Sequence, residues 1–192
     1  MLPDNVLSTT PITASFLSPR DAPPMPLIDY ELGGIAVSDA SQGLMVKSWR
    51  MRWVAGDFIL DAPAVAPAVV LSKPNVSNFS FTFDQNMKVF ITWTDDQGCW
   101  YWWYDTTLPG YRTVQMASDV QTPKCSLDDK RLNQISISDI ILAYMRNGSL
   151  YYRQQRDRFG TERLLKDNVG GYLRRVGMNQ VWRFQFDIGQ TP

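Results

Sequence analysis

Six carboxylates, Asp84, Asp95, Asp105, Asp139, Asp157 and Glu162, are the side chains whose type suits acid–base chemistry in this sequence. Two of them at the right separation would serve a glycoside hydrolase, one as acid and one as nucleophile or base. Spacing along the chain does not set that separation, and an aspartate at a strand end is more often a turn former. Histidine is absent, which removes the base of a serine triad or a cysteine–histidine dyad. Cys99 and Cys125 form no Cys-x-x-Cys pair, so a zinc site is not expected. Asp95-Asp96 and Asp128-Asp129 lack the pattern of a calcium loop, and neither common Gly-rich phosphate cradle occurs. The chain therefore reads as a non-enzyme with no catalytic residue, metal or cofactor.

Two local runs remain. In Cys99-Trp-Tyr-Trp-Trp-Tyr104, strand geometry puts Trp100, Trp102 and Tyr104 on one side and Tyr101 and Trp103 on the other. Such a strand serves as core, as a subunit interface or as a platform for sugars. The second run, residues 146–159, interleaves Arg146, Arg153, Arg156 and Arg158 with Tyr151, Tyr152 and Phe159. Arginines among aromatics bind nucleic acid or make ion pairs across a protein interface. With 19 basic and 19 acidic residues the net charge is zero, so nucleic acid is not an expected partner. The imbalance is local. Residues 1–45 hold Asp4, Asp21, Asp29, Glu31 and Asp39 against Arg20 alone, whereas basic residues prevail over residues 146–175. Inter-subunit pairs between the arginines and the acidic N-terminal stretch are the expectation.

These runs must be positioned by strands. Phe79, Phe81 and Phe83 alternate with Ser80, Thr82 and Asp84; Trp49, Met51 and Trp53 with Arg50 and Arg52; Trp182, Phe184, Phe186 and Ile188 with Arg183, Gln185 and Asp187. Period-two alternation marks half-buried strands. Turn residues separate the runs, and Asn147-Gly148 is the strongest hairpin signal because a type I′ turn needs positive φ twice. The best helical candidate is short, residues 126–133. Pro63 and Pro67 make residues 62–68 a stiff linker. Six prolines fall within residues 1–26 (Pro3, Pro11, Pro19, Pro23, Pro24 and Pro26). They bar helix, and residues 18–26 read as extended, polyproline-like chain. Val6, Ile12, Phe16, Leu17, Leu27, Ile28 and Tyr30 give this stretch apolar anchors. It reads either as a disordered leader or, better, as an arm that docks on a neighbouring subunit.

The sequence also repeats. Phe90-Ile-Thr-Trp93 matches Ile141-Leu-Ala-Tyr144 at an offset of 51 residues, and Gly98 matches Gly148 at 50. Tyr101 to Tyr104 matches Tyr151 to Gln154, again at 50, as does Tyr111 to Val114 with Thr161 to Leu164. The units span about residues 78–116 and 133–166, with opening strands at residues 79–83 and 135–138. The fold class expected is all-β: antiparallel sheets with two blade-like strand–turn–strand repeats, propeller-like or a sandwich, in a β domain over residues 46–192, preceded by an extended proline-rich arm over residues 1–45. Two such units close no ring alone, so either they pack on each other or subunits pool their sheets; a chance likeness of two hairpins in a plain sandwich is the bland alternative. The two cysteines read as free thiols of a reducing compartment. No window approaches the ~18 apolar residues of a membrane span, and the N-terminus lacks signal-peptide features, so assembly in a cytoplasm is expected.

Residues 138–159, Ser-Asp-Ile-Ile-Leu-Ala-Tyr-Met-Arg-Asn-Gly-Ser-Leu-Tyr-Tyr-Arg-Gln-Gln-Arg-Asp-Arg-Phe, resemble a segment of virion structural proteins of tailed bacteriophages. Residues 173–186, Leu-Arg-Arg-Val-Gly-Met-Asn-Gln-Val-Trp-Arg-Phe-Gln-Phe, are similar to the C-termini of the same proteins. The resemblance covers roughly residues 78–190 and is to short tail, tail-tip or baseplate components. It implies a ring, adaptor or fibre-attachment protein of the virion tail, assembled in the host cytoplasm and present in several copies. Its partners would be its own copies, neighbouring tail proteins and tail fibres. Trp100, Trp102, Trp103, Tyr151, Tyr152, Arg153, Arg156, Arg158, Arg174 and Arg175 are then the expected interface residues. A host-receptor or glycan-binding tail module, using the aromatic strand as its platform, is the second expectation.

Overall fold

Alternating residues become strands throughout the computed structural model, which describes residues 34–39, 45–61, 66–84, 86, 88–128, 139–178 and 184–190. Over the described residues the protein is nearly all β, in antiparallel sheets of which none closes into a barrel. The chain divides into two compact units, residues 1–76 and 77–192.

The first unit holds one sheet of order β1-β2-β3-β4, from β1 (Gly34–Asp39), β2 (Met45–Val54), β3 (Asp57–Asp61) and β4 (Ala68–Ser72). β2 and β3 form a tight hairpin at Ala55 and Gly56, both at positive φ (52° and 95°). Met51, Trp53, Phe58 and Leu60 share one face through the pairs Met51↔Leu60 and Trp53↔Phe58, and Met51 and Phe58 are fully buried. On the other face Arg52 grips both carboxylate oxygens of Asp61, at 2.6 and 2.9 Å. Part of the stretch expected to be an arm is thus sheet: β1 pairs with β2. Residues 1–33 and 40–44 lie outside the described residues, as do 62–65 of the expected linker, while Ala68 opens β4.

The second unit contains both repeats. β5 (Asn78–Phe83), β6 (Val89–Asp95), β7 (Gly98–Asp105) and β8 (Gly110–Gln115) form one four-stranded meander; β9 (Val120–Asp128), β10 (Asp139–Arg146), β11 (Ser149–Gln154) and β12 (Arg163–Lys166) form the other. A single 3₁₀ turn over Gln155–Asp157 follows β11. The hairpin of β13 (Tyr172–Met178) and β14 (Phe184–Gly189) completes the unit.

Three expectations need correction. The second meander opens on Val120–Asp128, not on residues 135–138, which lie outside the described residues; residues 126–128, expected to begin a short helix, end this strand. Pairing with β10 decides the matter, because a strand with an apolar partner overrides a weak local helical pattern. The one-residue slip in the repeat also disappears. Asp95 pairs with Gly98 across one turn and Arg146 with Ser149 across the other, so the offset is 51 on both sides of the turn. Gly148 therefore occupies the position of Gln97, not of Gly98. The sequence match at 50 followed the shared glycine and tyrosine letters instead of the register. Asn147 and Gly148 have φ of 50° and 73°, the two positive values their turn requires.

The meanders bury a common core. From the first come Phe90, Cys99, Tyr101 and Trp103; from the second come Val120, Cys125, Ile140, Leu142 and Tyr144. Phe159 inserts among them with its ring centroid 5.2 Å from those of Phe90, Tyr101 and Trp103. The opposite face of β10 and β11, with Ala143, Met145 and Leu150, packs on Leu173 and Val176 of the C-terminal hairpin, with Phe186 and Ile188 at its margin. β10 is buried on both faces, which is why Ile140 to Met145 is an unbroken apolar run. At the corner between sheets, Cys125 N donates to Ser80 Oγ at 3.2 Å and Lys124 Nζ to Asn78 Oδ1 at 2.8 Å. Beside them β9 bulges at Thr122, a β-branched residue at φ 47° whose Oγ1 accepts from Leu173 N at 3.1 Å.

Candidate interaction surface

The side chains with chemical potential are first of all held by their own chain. Asp84, Asp95 and Asp105 end strands and take turn amides. Asp84 Oδ1 accepts from Asn86 N and Lys88 N, Asp95 Oδ1 from Gln97 N, and Asp105 Oδ1 from Thr107 N and Leu108 N. Asp139 binds the backbone N–H and Nε of Arg156, at 2.9 and 2.6 Å. Asp157 pairs with Arg163 at 2.7 Å. Glu162 accepts from Tyr144 Oη at 2.5 Å and from Arg146 Nη1 at 2.8 Å, with Arg153 Nη2 at 3.4 Å.

Electrostatics agree with that role. Burial pushes the Asp105 carboxyl up, but hydrogen bonds from Arg158, the Leu108 and Thr107 amides and Arg112 outweigh it and leave the group below its ordinary value. Burial likewise raises Glu162, and Tyr144, Arg146 and Arg153 reverse the sign. Both carboxylates are kept ionised, whereas a glycosidase acid needs its affinity for the proton raised. The Tyr144 hydroxyl moves the other way, raised by burial and by donating to Glu162. Among the described residues there is no group of three or more metal-ligating side chains.

No family model, curated protein or solved structure matches this chain.

The expected interface residues separate into distinct places. Trp103 is core. Trp100 is half-buried and stacks on the fully buried Trp93 at 6.3 Å and 9°; the Asp95 carboxylate accepts from both indole N–H groups at 3.0 Å. Tyr151 is the equivalent of Trp100 at the 51-residue offset and stacks on Tyr144 at 6.3 Å and 16°. Tyr152 lies at the margin of the hairpin core with the Arg163 guanidinium 5.8 Å from its ring. Arg153 turns inward, its Nε donating to Tyr144 Oη at 2.9 Å. Arg156 and Arg158 take Asp139 and Asp105, carboxylates of the same unit. Arg174 and Arg175 both approach Asp187 at 3.9 Å.

Trp102 lies in a different setting. Half-buried on the face of β7 turned away from the shared core, it stacks on Tyr111 of β8 with centroids 3.8 Å apart and rings 7° from parallel. Tyr104 meets the same Tyr111 edge-on at 5.2 Å, with Lys88 Nζ 4.9 Å from the Tyr104 ring. Tyr111 is 42% exposed and Leu108, in the preceding turn, 53%. Neither was singled out from the sequence. The alternation of Tyr111, Thr113 and Gln115 across from the aromatic strand was the available signal. β8 ends its sheet, and no strand among the described residues pairs with its outer edge.

No helix among the described residues is long and apolar enough to cross a membrane.

Proposed function

We propose that this chain is a structural component of a bacteriophage tail, a ring, adaptor or fibre-attachment protein that works through contacts between subunits. One observation carries the assembly half of this reading. The polar side chains suited to chemistry are engaged in holding the fold, while Leu108, Tyr111, Leu164 and Leu165, all more than 40% exposed, gather on and beside the edge strands β8 and β12. Exposed apolar residues on sheet edges invite pairing with another chain. The tail assignment itself rests on the likeness of residues 138–159 and 173–186 to tail proteins. On this reading the chain is not an enzyme, and its place is the virion.

Electron microscopy of the intact particle tests the reading directly. Density that fits the two stacked meanders, repeated around the tail axis, is the expected result. A particle in which that density is absent from the tail, or a chain that fails to co-purify with tails, would overturn it.

A glycan-binding tail module has one point in its favour, the half-exposed aromatic row on β7 and β8. Ring geometry tells against it. A sugar needs an open aromatic face; Trp102 and Tyr111 each give one face to the other and Tyr104 packs edge-on against Tyr111, which narrows the platform. Glycan binding that is lost in Tyr111→Ala with folding intact would reverse this ranking.

A further inference from the structure

Four strands end the meanders, and they are not equally open. β5 and β9 meet each other through Ser80–Cys125 and Asn78–Lys124 hydrogen bonds. β12 is only four residues long and carries Arg163 and Lys166, the short and charged form in which an edge resists pairing. β8 is six residues long, without proline, and Arg112 is its one charged residue. Met116 N donates to Cys99 O at 2.8 Å. Because that pair sets the ladder, Arg112 and Val114 turn their amides toward β7, and Tyr111, Thr113 and Gln115 turn theirs to the open edge.

The two sides of this edge differ in chemistry. On one side stand Tyr111 and the Trp102 ring stacked on it. On the other stand Arg112 and Arg158, which share the single carboxylate of Asp105, at 3.0 and 2.5 Å to the same oxygen, and so, among the described residues, set two positive charges against one negative. A strand added here needs apolar residues at one parity and acidic residues at the other. Residues 27–32 read Leu-Ile-Asp-Tyr-Glu-Leu. Ile28, Tyr30 and Leu32 have one parity, and Asp29 and Glu31 the other. The stretch is free of proline, although Pro23, Pro24 and Pro26 lie just before it.

We propose that residues 27–32 of a second copy add as a strand to the outer edge of β8, which rests on the reading that the chain works through contacts between its own copies. Ile28, Tyr30 and Leu32 join the Tyr111 and Trp102 side; Asp29 and Glu31 join the Arg112 and Arg158 side. Backbone bonds supply affinity and the alternate side chains supply register, as in other cases of strand addition. The contact is heterologous, a segment on an edge, so repetition gives a ring where the rotation closes.

Sedimentation velocity of the full chain across a concentration series is the test. Thr113→Pro removes one outward N–H and leaves the ladder to β7 intact. Asp29→Lys/Glu31→Lys reverses the charge of the added segment at two positions outside the described residues. Each is expected to weaken association by at least about tenfold, one factor of ten in Kd being a modest loss for such a contact. A peptide of residues 26–33 is expected to dissociate the wild-type assembly. Association unchanged in both variants overturns the proposal. So does a fall in the thermal stability of dilute Asp29→Lys/Glu31→Lys with association unchanged, since that places the segment on its own chain. A wild-type chain that stays monomeric at every concentration, alone and with tail proteins, overturns the underlying reading of the function instead.

Discussion

Arg158 donates from Nη2 to Oδ2 of Asp105 at 2.5 Å and ties the loop after β11 to the end of β7. The two residues belong to different meanders. Arg158 and Phe159 both adopt positive φ, 57° and 58°, a pair of conformations that ordinary side chains avoid. The twist aims Arg158 at Asp105 while Phe159 enters the aromatic core from the same loop. The Asp105 side chain is wholly buried, and its carboxyl is depressed because the donors around it outweigh burial. A carboxyl held lower in the folded state than in the unfolded one stabilises the fold above its unfolded value, about 3.9. That contribution is lost as pH falls through the folded value. Asp105→Asn should therefore lower the urea midpoint at neutral pH and flatten its fall below about pH 4. Urea titrations across that range check it; an acid limb as steep as that of the wild type counts against this role.

Gly171 and Gly148 separate backbone conformation from steric fit. Both have positive φ, 70° and 73°. A Cβ on Gly148 meets nothing within 4 Å, whereas one on Gly171 meets Gly189 O at 2.1 Å. Gly148→Ala should cost about 1–2 kcal/mol, the left-handed penalty alone. Gly171→Ala should cost clearly more, because the β13–β14 hairpin must shift. Chemical denaturation of the two variants measures the difference.

Much of this architecture was legible in the chain because strand burial writes itself as alternation. The Phe79–Phe83 pattern, the Asn147-Gly148 turn and the two-unit repeat each come from local geometry, and each is present in the fold. The first strand of the second unit was missed for a physical reason. Val120–Asp128 contains Pro123 and Lys124, both buried, and alternates poorly, since it lies at a corner where β5, β10 and β13 all meet it. Only tertiary pairing explains it. The arginines were legible as partners for carboxylates but not for which ones: Asp105 lies 53 residues from Arg158 along the chain. Tyr111 went unread because exposure of a strand residue depends on which strand ends the sheet.

The two thiols make a prediction of reactivity. Cys125 is packed in the shared core, and burial pushes its thiol up to about 12. Cys99 is raised too, first by burial, and its Sγ donates to Val120 O at 3.3 Å. For Cys125 the thiolate fraction at pH 8 is on the order of 10⁻⁴, and the thiolate is the reactive form. Ellman's reagent should therefore titrate almost no thiol in the folded chain and both in denaturant. A fast stoichiometric reaction in the native state would disprove the packing of this core.

Trp93 with Trp100 and Tyr144 with Tyr151 are the same cross-strand pair, one in each meander. In both, the first ring is fully buried and the second half-buried. The polar anchor differs: Asp95 takes both indole N–H groups, whereas Tyr144 gives its hydroxyl to Glu162. Trp93→Ala should destabilise by about 3–5 kcal/mol, as for a large aromatic removed from a core, and Trp100→Ala by much less. A double-mutant cycle over the two tryptophans should return a coupling of about 0.5–1.5 kcal/mol from ring stacking alone. The shared Asp95 should carry it to the upper end, because losing either indole leaves one carboxylate oxygen without that donor. Repeating the cycle with Trp93→Phe and Trp100→Phe keeps the rings and removes the N–H donors. If coupling persists in that cycle, the carboxylate clamp links the pair, because only the N–H donors are removed; if it falls toward zero, the rings carry it. For Tyr144 and Tyr151 the clamp is absent between the two rings, so Tyr144→Phe should leave their coupling unchanged while releasing Glu162 and Arg153.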